Sequence, residues 1–252
     1  KILINGDIAE APTISAILKE MDEVVNKPLY FVLGNHDYYG GQVKTTRLEM
    51  TNLTNAEPLL HWLPASGPQQ LGNDTVLLGQ DSWADGRYGD YASSRVVLND
   101  SILIQELSRS RPYGKELLLS AMQNLADEDA RQLEMGINEA ISNHAPKKMI
   151  GLVHVPPFME TCMHEGKISS DDFLPFFSSK VTGDVLIKAA SAHPEIEFSV
   201  FCGHTHSDAH WKPCDNLTVK AGAAEYRQTE IQEVMVLSIE PEEEKHVRRM
   251  SI

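Results

Sequence analysis

The sequence is poor in cysteine and has no long apolar run. Only Cys162, Cys202 and Cys214 occur among its 252 residues, and no two of them form a Cys-x-x-Cys pair. So few thiols exclude a disulfide framework and a cysteine-based zinc site. We therefore expect buried thiols in a reducing compartment and a cytoplasmic location. No apolar stretch approaches the roughly 20 residues of a membrane-spanning helix, so no membrane segment is expected.

Basic residues are also scarce. Only 22 Lys and Arg residues oppose 36 Asp and Glu residues, and the formal net charge is -14. A field of that sign repels a phosphate backbone, so a long nucleic acid is not an expected partner. A small phosphorylated substrate stays compatible with this charge, because a bound cation reverses the field locally. The composition leaves the oligomeric state open.

Short apolar runs recur along the chain, and each ends in glycine or a polar cluster. They are Ile2–Ile4, Leu29–Leu33, Thr75–Leu78, Met149–Val153, Ile196–Cys202, Leu217–Ala221 and Val234–Ile239. Such runs predict buried strands. Apolar residues at helical spacing predict a helix that begins near Pro12 and reaches Val25, and a second helical region over 115–142. The second region is predicted as one or two pieces, with Asp127 as a candidate N-cap. This order of elements predicts an α/β domain.

Polar side chains follow four of these runs at the points where the predicted strands end. They are Asp7 in NGD, Asn35, His36 and Asp37 in GNHD, His154 in HVPPF, and His204 and His206 in GHTH. In α/β sheets, sites form just beyond the carboxyl ends of strands. Glycines in three of these motifs allow the backbone to approach closely. Carboxylate, amide and imidazole donors without thiolate suit Mn, Fe or Zn.

Each of these residues also has a purely structural interpretation. Asp7 can be a helix cap or a turn residue, and residues 35–37 can form a hydrogen-bonded turn. His154 can be a core histidine, and His204 and His206 can be turn residues. The coincidence of all four strand ends is harder to explain structurally and favours a metal site.

In this order, the GD, GNHD, isolated histidine and GHTH motifs resemble the calcineurin-like metallophosphoesterases over nearly the whole chain. The resemblance implies an α/β fold, a four-layer α/β/β/α sandwich of two mixed sheets. It also implies two divalent metal ions, Mn, Fe or Zn, at one end of the sheets. The implied reaction is hydrolysis of a phosphomonoester or phosphodiester by a hydroxide that the two metals activate.

The resemblance implies a role for each proposed metal ligand. Asp7 would bridge the two metals and hold the two positive ions close together. Asn35, His154 and His204 would complete one metal site, and His206 would belong to the other. Neutral imidazoles and an amide oxygen leave the metals Lewis acidic, which the implied reaction requires.

Three further residues are expected to act on the substrate or beside it. His36 would lie next to the substrate phosphate, where a protonated imidazole can donate to the leaving oxygen or stabilise phosphoryl charge. Asp37 would orient His36. Arg87, in the loop that follows the Thr75–Leu78 run, can bind a phosphate bidentately. Its structural alternative is an internal pair with Asp85.

The family pattern begins with an Asp-x-His motif before GD, and the sequence starts at Lys1, too close to Asp7 to contain that motif. One metal site would then have two of its four protein ligands. We expect residues 1–252 to form a single domain that lacks its first strand because the sequence is a fragment. A naturally truncated single-metal protein and ligands from elsewhere are the alternatives. A weakened or inactive protein-binding scaffold and a nuclease are the alternative functions, and the acidic composition disfavours the nuclease.

Overall fold

The computed structural model describes residues 1–224 and 230–237. Within these residues the strands are β1 (Ile2–Asn5), β2 (Leu29–Val32), β3 (Leu60–Trp62), β4 (Gln69–Gln70), β5 (Thr75–Gln80), β6 (Lys148–Val153), β7 (Met163–His164), β8 (Lys167–Ile168), β9 (Glu197–Cys202), β10 (Ala209–Cys214) and β11 (Leu217–Ala221). The helices are α1 (Ile14–Val25), α2 (Val43–Ala56), α3 (Leu63–Ser66), α4 (Asp100–Leu103), α5 (Gln105–Ser110), α6 (Lys115–His144), α7 (Leu174–Phe177) and α8 (Lys180–Ala192). Short 3-10 turns lie at His36–Tyr38, Arg111–Tyr113 and Met159–Thr161.

The strands form two main sheets. The first has the order β1-β2-β3, and its strands pair in parallel. The second is mixed and has the order β10-β11-β9-β6-β5-β4. In it, β5, β6, β9 and β11 are parallel, while β4 and β10 are antiparallel edge strands. A small separate hairpin joins β7 to β8.

Three clusters of buried apolar side chains separate four layers. Phe31 of β2 packs into the cluster that contains residues of α1 and α2. Tyr30 and Val32 of the same strand join residues of β5 and β6 in the cluster between the sheets. This alternation follows from the two-residue period of a strand. The outer face of the second sheet packs against α6 and α8. The α/β/β/α sandwich predicted from the sequence is confirmed.

The sequence predicted most of the buried strands and the first helix. The second helical region is one continuous 30-residue helix, α6. Asp127 lies inside this helix rather than at an N-cap, and its carboxylate pairs with Arg87. The strand predicted over Val234–Ile239 is absent from the described residues 234–237, and residues 238 and 239 lie outside them.

The parallel arrangement brings the carboxyl ends of the strands together, within and between the sheets. The ends of β1 and β2 are adjacent in one sheet, and those of β6 and β9 are adjacent in the other. The imidazole Nδ1 of His154, just after β6, donates to the carbonyl of Asn5, the last residue of β1, at 2.8 Å. The two sheets therefore meet at the edge where the polar motifs lie.

No helix among residues 1–224 and 230–237 is long and apolar enough to cross a membrane. The assignment of residues 1–252 to one domain stays a prediction, because 225–229 and 238–252 lie outside the described residues. The cytoplasmic location also stays a prediction.

Candidate metal centre

The side-chain oxygen of Asn35 is the point at which three strand ends converge. The Nε2 atom of His154 and the Nδ1 atom of His204 each lie 3.0 Å from Asn35 Oδ1. Asp7 Oδ1 lies 3.3 Å from His154 Nε2. The His154 and His204 rings meet edge to face with centroids 5.1 Å apart. Asp7, Asn35, His154 and His204, which we call the Asn35 cluster, thus come together from positions far apart in the chain.

The ring protons of both histidines point away from the Asn35 cluster. Carbonyl oxygens only accept hydrogen bonds. His154 Nδ1 therefore carries the proton given to the Asn5 carbonyl, and His204 Nε2 the proton given to the Phe176 carbonyl at 3.1 Å. Metal-binding histidines commonly fix their tautomer in this way. In the neutral rings, His154 Nε2 and His204 Nδ1 then present lone pairs toward another acceptor, Asn35 Oδ1.

The electrostatics of the Asn35 cluster favour a neutral His204 imidazole and an ionised Asp7 carboxylate. Burial and the neighbouring His154 lower the pKa of His204 to about 4, so its ring is neutral at pH 7. For Asp7, burial is the largest single influence and raises the pKa, but the three neighbouring imidazoles and the His36 backbone N–H reverse it. The net effect is that the pKa of Asp7 lies below its ordinary value. These are the protonation states that a divalent metal requires of its ligands.

Three of the proposed ligands have a left-handed backbone. The φ angle is 55° at Asp7, 69° at His204 and 54° at His206. Residues with a Cβ rarely adopt this conformation, which costs of order 1–3 kcal/mol and concentrates at functional sites. In this conformation the Asp7 carboxylate faces His154, and the His204 ring faces Asn35. His206 occupies the same turn, between β9 and β10.

Two glycines let the strand ends approach closely enough to form the Asn35 cluster. A Cβ added at Gly6 would lie 2.5 Å from His154 Nδ1 and 2.6 Å from the backbone nitrogen of Gly34. A Cβ added at Gly34 would overlap the Asp7 carboxylate and would lie 2.6 Å from His154 Cε1. Only glycine fits at either position.

We expect Gly34→Ala to lower the free energy of unfolding by about 1–3 kcal/mol, the usual range for overpacking, and to weaken Mn²⁺ binding. The added methyl group must displace Asp7 or His154. Gly136→Ala in α6 is the matched control, because its Cβ would lie 3.8 Å from the nearest atom, Leu78 Cδ1. Thermal melting and Mn²⁺ titration of both variants test this prediction. Similar values for the two variants would contradict it.

The carboxylate of Asp37 is fully buried and fastens the loop after β1 to the loop after β2. Its Oδ1 accepts backbone N–H groups of Ile8 at 2.8 Å and Ala9 at 2.7 Å. Its Oδ2 accepts the backbone N–H of Gly34 at 2.8 Å. Burial is the largest influence on the pKa of Asp37 and raises it well above its ordinary value, while these three donors act in the opposite direction. Asp37 positions the loop that carries His36.

His36 lies beside the Asn35 cluster. Its backbone N–H donates to Asp7 Oδ1 at 3.1 Å, and its ring stacks on Tyr39 with centroids 4.5 Å apart. The Tyr39 hydroxyl donates to Asp100 Oδ1 at 2.6 Å, and the side-chain nitrogen of Asn35 donates to the same oxygen at 2.7 Å. Asp100 lies at the start of α4, in a region without strands.

The segment before α8 covers one side of His204. In addition to the carbonyl of Phe176, it contributes the Phe177 ring, whose centroid lies 4.9 Å from that of His204. Phe177 in turn contacts Phe173, which is 44% exposed. This segment therefore forms an aromatic wall next to the cluster.

Arg87 forms the ion pair with Asp85 that the sequence analysis gave as the alternative to phosphate binding. Its guanidinium contacts the buried Asp85 carboxylate at 3.1 Å and Asp127 of α6 at 2.7 Å. Asp85 also accepts the backbone N–H of Val181 at 2.9 Å. These contacts join α6 and the start of α8, and a substrate contact by Arg87 stays a prediction.

The cluster is arranged by hydrogen-bonding contacts. No group of three or more His, Cys, Asp or Glu side chains in the described part of the chain is placed to hold a metal ion. The point of convergence is instead an amide oxygen, with an imidazole nitrogen of His154 and one of His204 each 3.0 Å from it. The donor set nonetheless fits a divalent ion, because oxygen and imidazole nitrogen are the donors that Mn, Fe and Zn accept.

Sequence reasoning missed two residues that support this centre. Asp81 follows β5 directly, and its carboxylate accepts the backbone N–H of Leu33 at 2.7 Å. The strand-end pattern that identified the other residues applies to Asp81 as well. The sequence carries no such strand-end signal at Asp100, because no strand ends directly before this residue. Its partner Asn35 lies 65 residues away.

Comparisons with known proteins agree with this fold and these motifs. The model of the calcineurin-like phosphoesterase family matches residues 1–208. The chain is similar in structure to a dimetal phosphatase from Danio rerio, with 11% sequence identity, a TM-score of 0.50, and coverage of 87% of this chain and 71% of that chain. A comparison with curated proteins found no match. The family match spans most of the chain, and the protein belongs to the calcineurin-like phosphoesterase family.

Proposed function

We propose that the protein hydrolyses phosphomonoesters or phosphodiesters with divalent metal ions held at the Asn35 cluster. One observation carries this proposal. His154 Nε2, His204 Nδ1 and Asn35 Oδ1 converge, and in the neutral rings each of these three atoms presents a lone pair, because the ring protons are given to the Asn5 and Phe176 carbonyls. Three acceptors facing one another are unfavourable unless a cation lies between them.

Each residue of the cluster has a chemical task in this proposal. Two divalent ions, when bound, would supply a Lewis acid for the phosphoryl oxygen and lower the pKa of water. Asn35, His154 and His204 would hold one ion, His206 would help to hold the second, and Asp7 would serve both. Mn, Fe and Zn all suit such donors.

His36 and Asp37 act beside the metal ligands. His36, at the edge of the cluster, stabilises phosphoryl charge or donates a proton to the leaving oxygen. Asp37 positions His36 through the backbone of their shared loop, and its three backbone N–H contacts support this role. The substrate is a small phosphorylated molecule, because the net charge of -14 disfavours a long polyanion.

The proposal is tested by metal content and by Mn²⁺ titration of protein purified without chelator. We expect bound Mn, Fe or Zn and hydrolysis of a generic phosphomonoester or phosphodiester that EDTA abolishes. His154→Ala should weaken Mn²⁺ binding by more than about 100-fold, because loss of a residue that only supports a metal ligand already weakens binding by roughly 10–100-fold. His210→Ala, on the exposed part of β10, is the control and should behave as wild type.

The outcomes separate the possible functions. Hydrolysis of a small ester without hydrolysis of long DNA would support the proposal over a nuclease. A folded protein that binds no metal and hydrolyses none of these esters would refute it and favour a protein-binding scaffold. About two metal equivalents per chain would support a binuclear centre.

A further inference from the structure

We propose that Asp100, together with Tyr39, is a positioning residue that holds the oxygen of Asn35 toward the metal. The inference rests on the function proposed above and adds a residue that the family motifs do not contain. It concerns the orientation of one amide, which decides whether the Asn35 cluster presents a metal ligand or a hydrogen-bond donor.

The amide of Asn35 is nearly symmetric in shape, so packing alone does not select its orientation. Two groups select its orientation, and they lie on the outer side of the amide, which is the side away from His154 and His204. Asp100 Oδ1 lies 2.7 Å from the Asn35 nitrogen, and the Tyr39 hydroxyl oxygen lies 3.1 Å from it. An ionised carboxylate only accepts, and the Tyr39 hydrogen is already donated to Asp100. The outer side therefore accepts only the nitrogen of the amide.

The opposite orientation would block the metal site. With the amide reversed, its NH₂ group would donate to the lone pairs of His154 Nε2 and His204 Nδ1, both now 3.0 Å from Asn35 Oδ1. The cluster would then satisfy its own hydrogen bonds, and a metal would have to break two of them to bind. Asp100 disfavours this orientation, because it would place the amide oxygen against a carboxylate.

The segment that carries Asp100 is fastened by other contacts. The Gly40 backbone N–H donates to the Leu103 carbonyl at 3.0 Å, and the Gln105 N–H donates to the Gly41 carbonyl at 3.2 Å. The Glu106 carboxylate accepts the backbone N–H of Val43 at 3.0 Å. Removing the Asp100 carboxylate leaves these bonds intact, so the segment should stay in place.

Tyr39 links this orientation to the proposed catalytic histidine. The Tyr39 hydroxyl donates to Asp100 Oδ1 at 2.6 Å and accepts from the Asn35 nitrogen at 3.1 Å. The same ring stacks on His36. One buried phenol therefore contacts both Asn35 and His36, and it ties the metal ligand to the residue beside the substrate.

The test is calorimetric Mn²⁺ titration of wild type, Asn35→Ala, Asp100→Ala and Asp100→Asn, with thermal melting of each variant. We expect Asp100→Ala to weaken Mn²⁺ binding by roughly 10–100-fold. Asp100→Asn keeps an acceptor oxygen without the charge, and it should restore most of the affinity. Tyr39→Phe should cause a smaller loss. Asp172→Ala, which removes one exposed negative charge from the neighbouring loop, is the charge control and should bind as wild type.

Each outcome decides between the possible explanations. Wild-type affinity in Asp100→Ala, with weakened binding in Asn35→Ala, would overturn this inference and leave the proposed function intact. An Asp100→Asn variant as weak as Asp100→Ala would assign the effect to charge and would also overturn it. Equal Mn²⁺ binding by wild type and Asn35→Ala would refute the metal site itself. If Asp100→Ala does not fold, Asp100→Asn and Tyr39→Phe give the answer, because a neutron structure of either distinguishes the nitrogen of Asn35 from its oxygen.

Discussion

His36→Ala is expected to lower turnover by roughly 10²–10⁴-fold, the usual contribution of a general acid, while Mn²⁺ affinity stays close to wild type. The reason is that His36 contacts the Asn35 cluster through its backbone. Its N–H holds Asp7 Oδ1, and alanine retains that donor. The imidazole, which stacks on Tyr39 at the edge of the cluster, is the part that is lost. Steady-state kinetics and Mn²⁺ titration on the same preparation measure the two quantities.

Two comparisons sharpen this test. An aryl ester with an acidic leaving group needs little protonation, so His36→Ala should affect it less than an alkyl ester. Equal losses on both esters would assign His36 to charge stabilisation instead of proton donation. His61→Ala is the matched control, because His61 stacks on Tyr30, a residue of the cluster between the sheets. Loss of Mn²⁺ binding in His36→Ala would contradict the separation of roles.

Asp81→Ala is expected to lower the free energy of unfolding by about 3–5 kcal/mol, the cost of leaving a buried ion pair without one partner. Asp81 is fully buried, and its carboxylate has four neighbours. Oδ1 accepts the Leu33 N–H at 2.7 Å and the indole N–H of Trp62 at 3.0 Å. Oδ2 accepts the Tyr38 hydroxyl at 2.6 Å and lies 3.3 Å from the guanidinium of Arg47. Alanine would remove this acceptor from the Leu33 N–H, the Trp62 indole and the Tyr38 hydroxyl, and Arg47 would keep Asp129 as its carboxylate partner.

The position of Asp81 extends the effect to the metal centre. Its backbone carbonyl accepts the N–H of His154 at 3.0 Å, and its side chain holds the residue before Gly34. Arg47 also binds Asp129 of α6 at 2.8 Å, so the network joins both sheets to that helix. We therefore expect Asp81→Ala to lose activity even at temperatures where it remains folded.

Thermal and urea unfolding measure this prediction. The melting temperature of Asp81→Ala should fall by roughly 10 °C, given about 2–4 °C per kcal/mol for a protein of this size. Asp81→Asn keeps one acceptor oxygen, so its melting temperature should lie between those of wild type and Asp81→Ala. Glu128→Ala breaks an exposed pair with Arg131 in α6 and should leave the midpoint nearly unchanged. A melting temperature of Asp81→Ala equal to that of Glu128→Ala would contradict the structural role of the network.

The elements that the sequence predicted well are those with a local signal. The strand β11 and the helix α1 have the predicted apolar patterns, because burial of one face imposes a two-residue or a 3.6-residue period. The strand β10 carries exposed polar residues on much of its length, so it has no such pattern and was missed. The helix α6 was predicted in one or two pieces, because the sequence does not show that Asp127 pairs with Arg87.

The distinction between features with a local sequence signal and features without one also holds for the proposed metal centre. The sequence by itself determined which residues stand at the strand ends, since Asp7, Asn35, His154 and His204 each follow a short apolar run. Parallel pairing brings Asp7 and Asn35 to one edge of the first sheet, and His154 and His204 to one edge of the second. The packing of the two sheets then brings these edges together. Only the tertiary structure decided which way each donor faces. The two ring tautomers depend on the carbonyls of Asn5 and Phe176, and the amide orientation of Asn35 depends on Asp100. These partners are remote in the chain and obey no period, so their selection arises only when the folded backbone brings them within hydrogen-bonding distance.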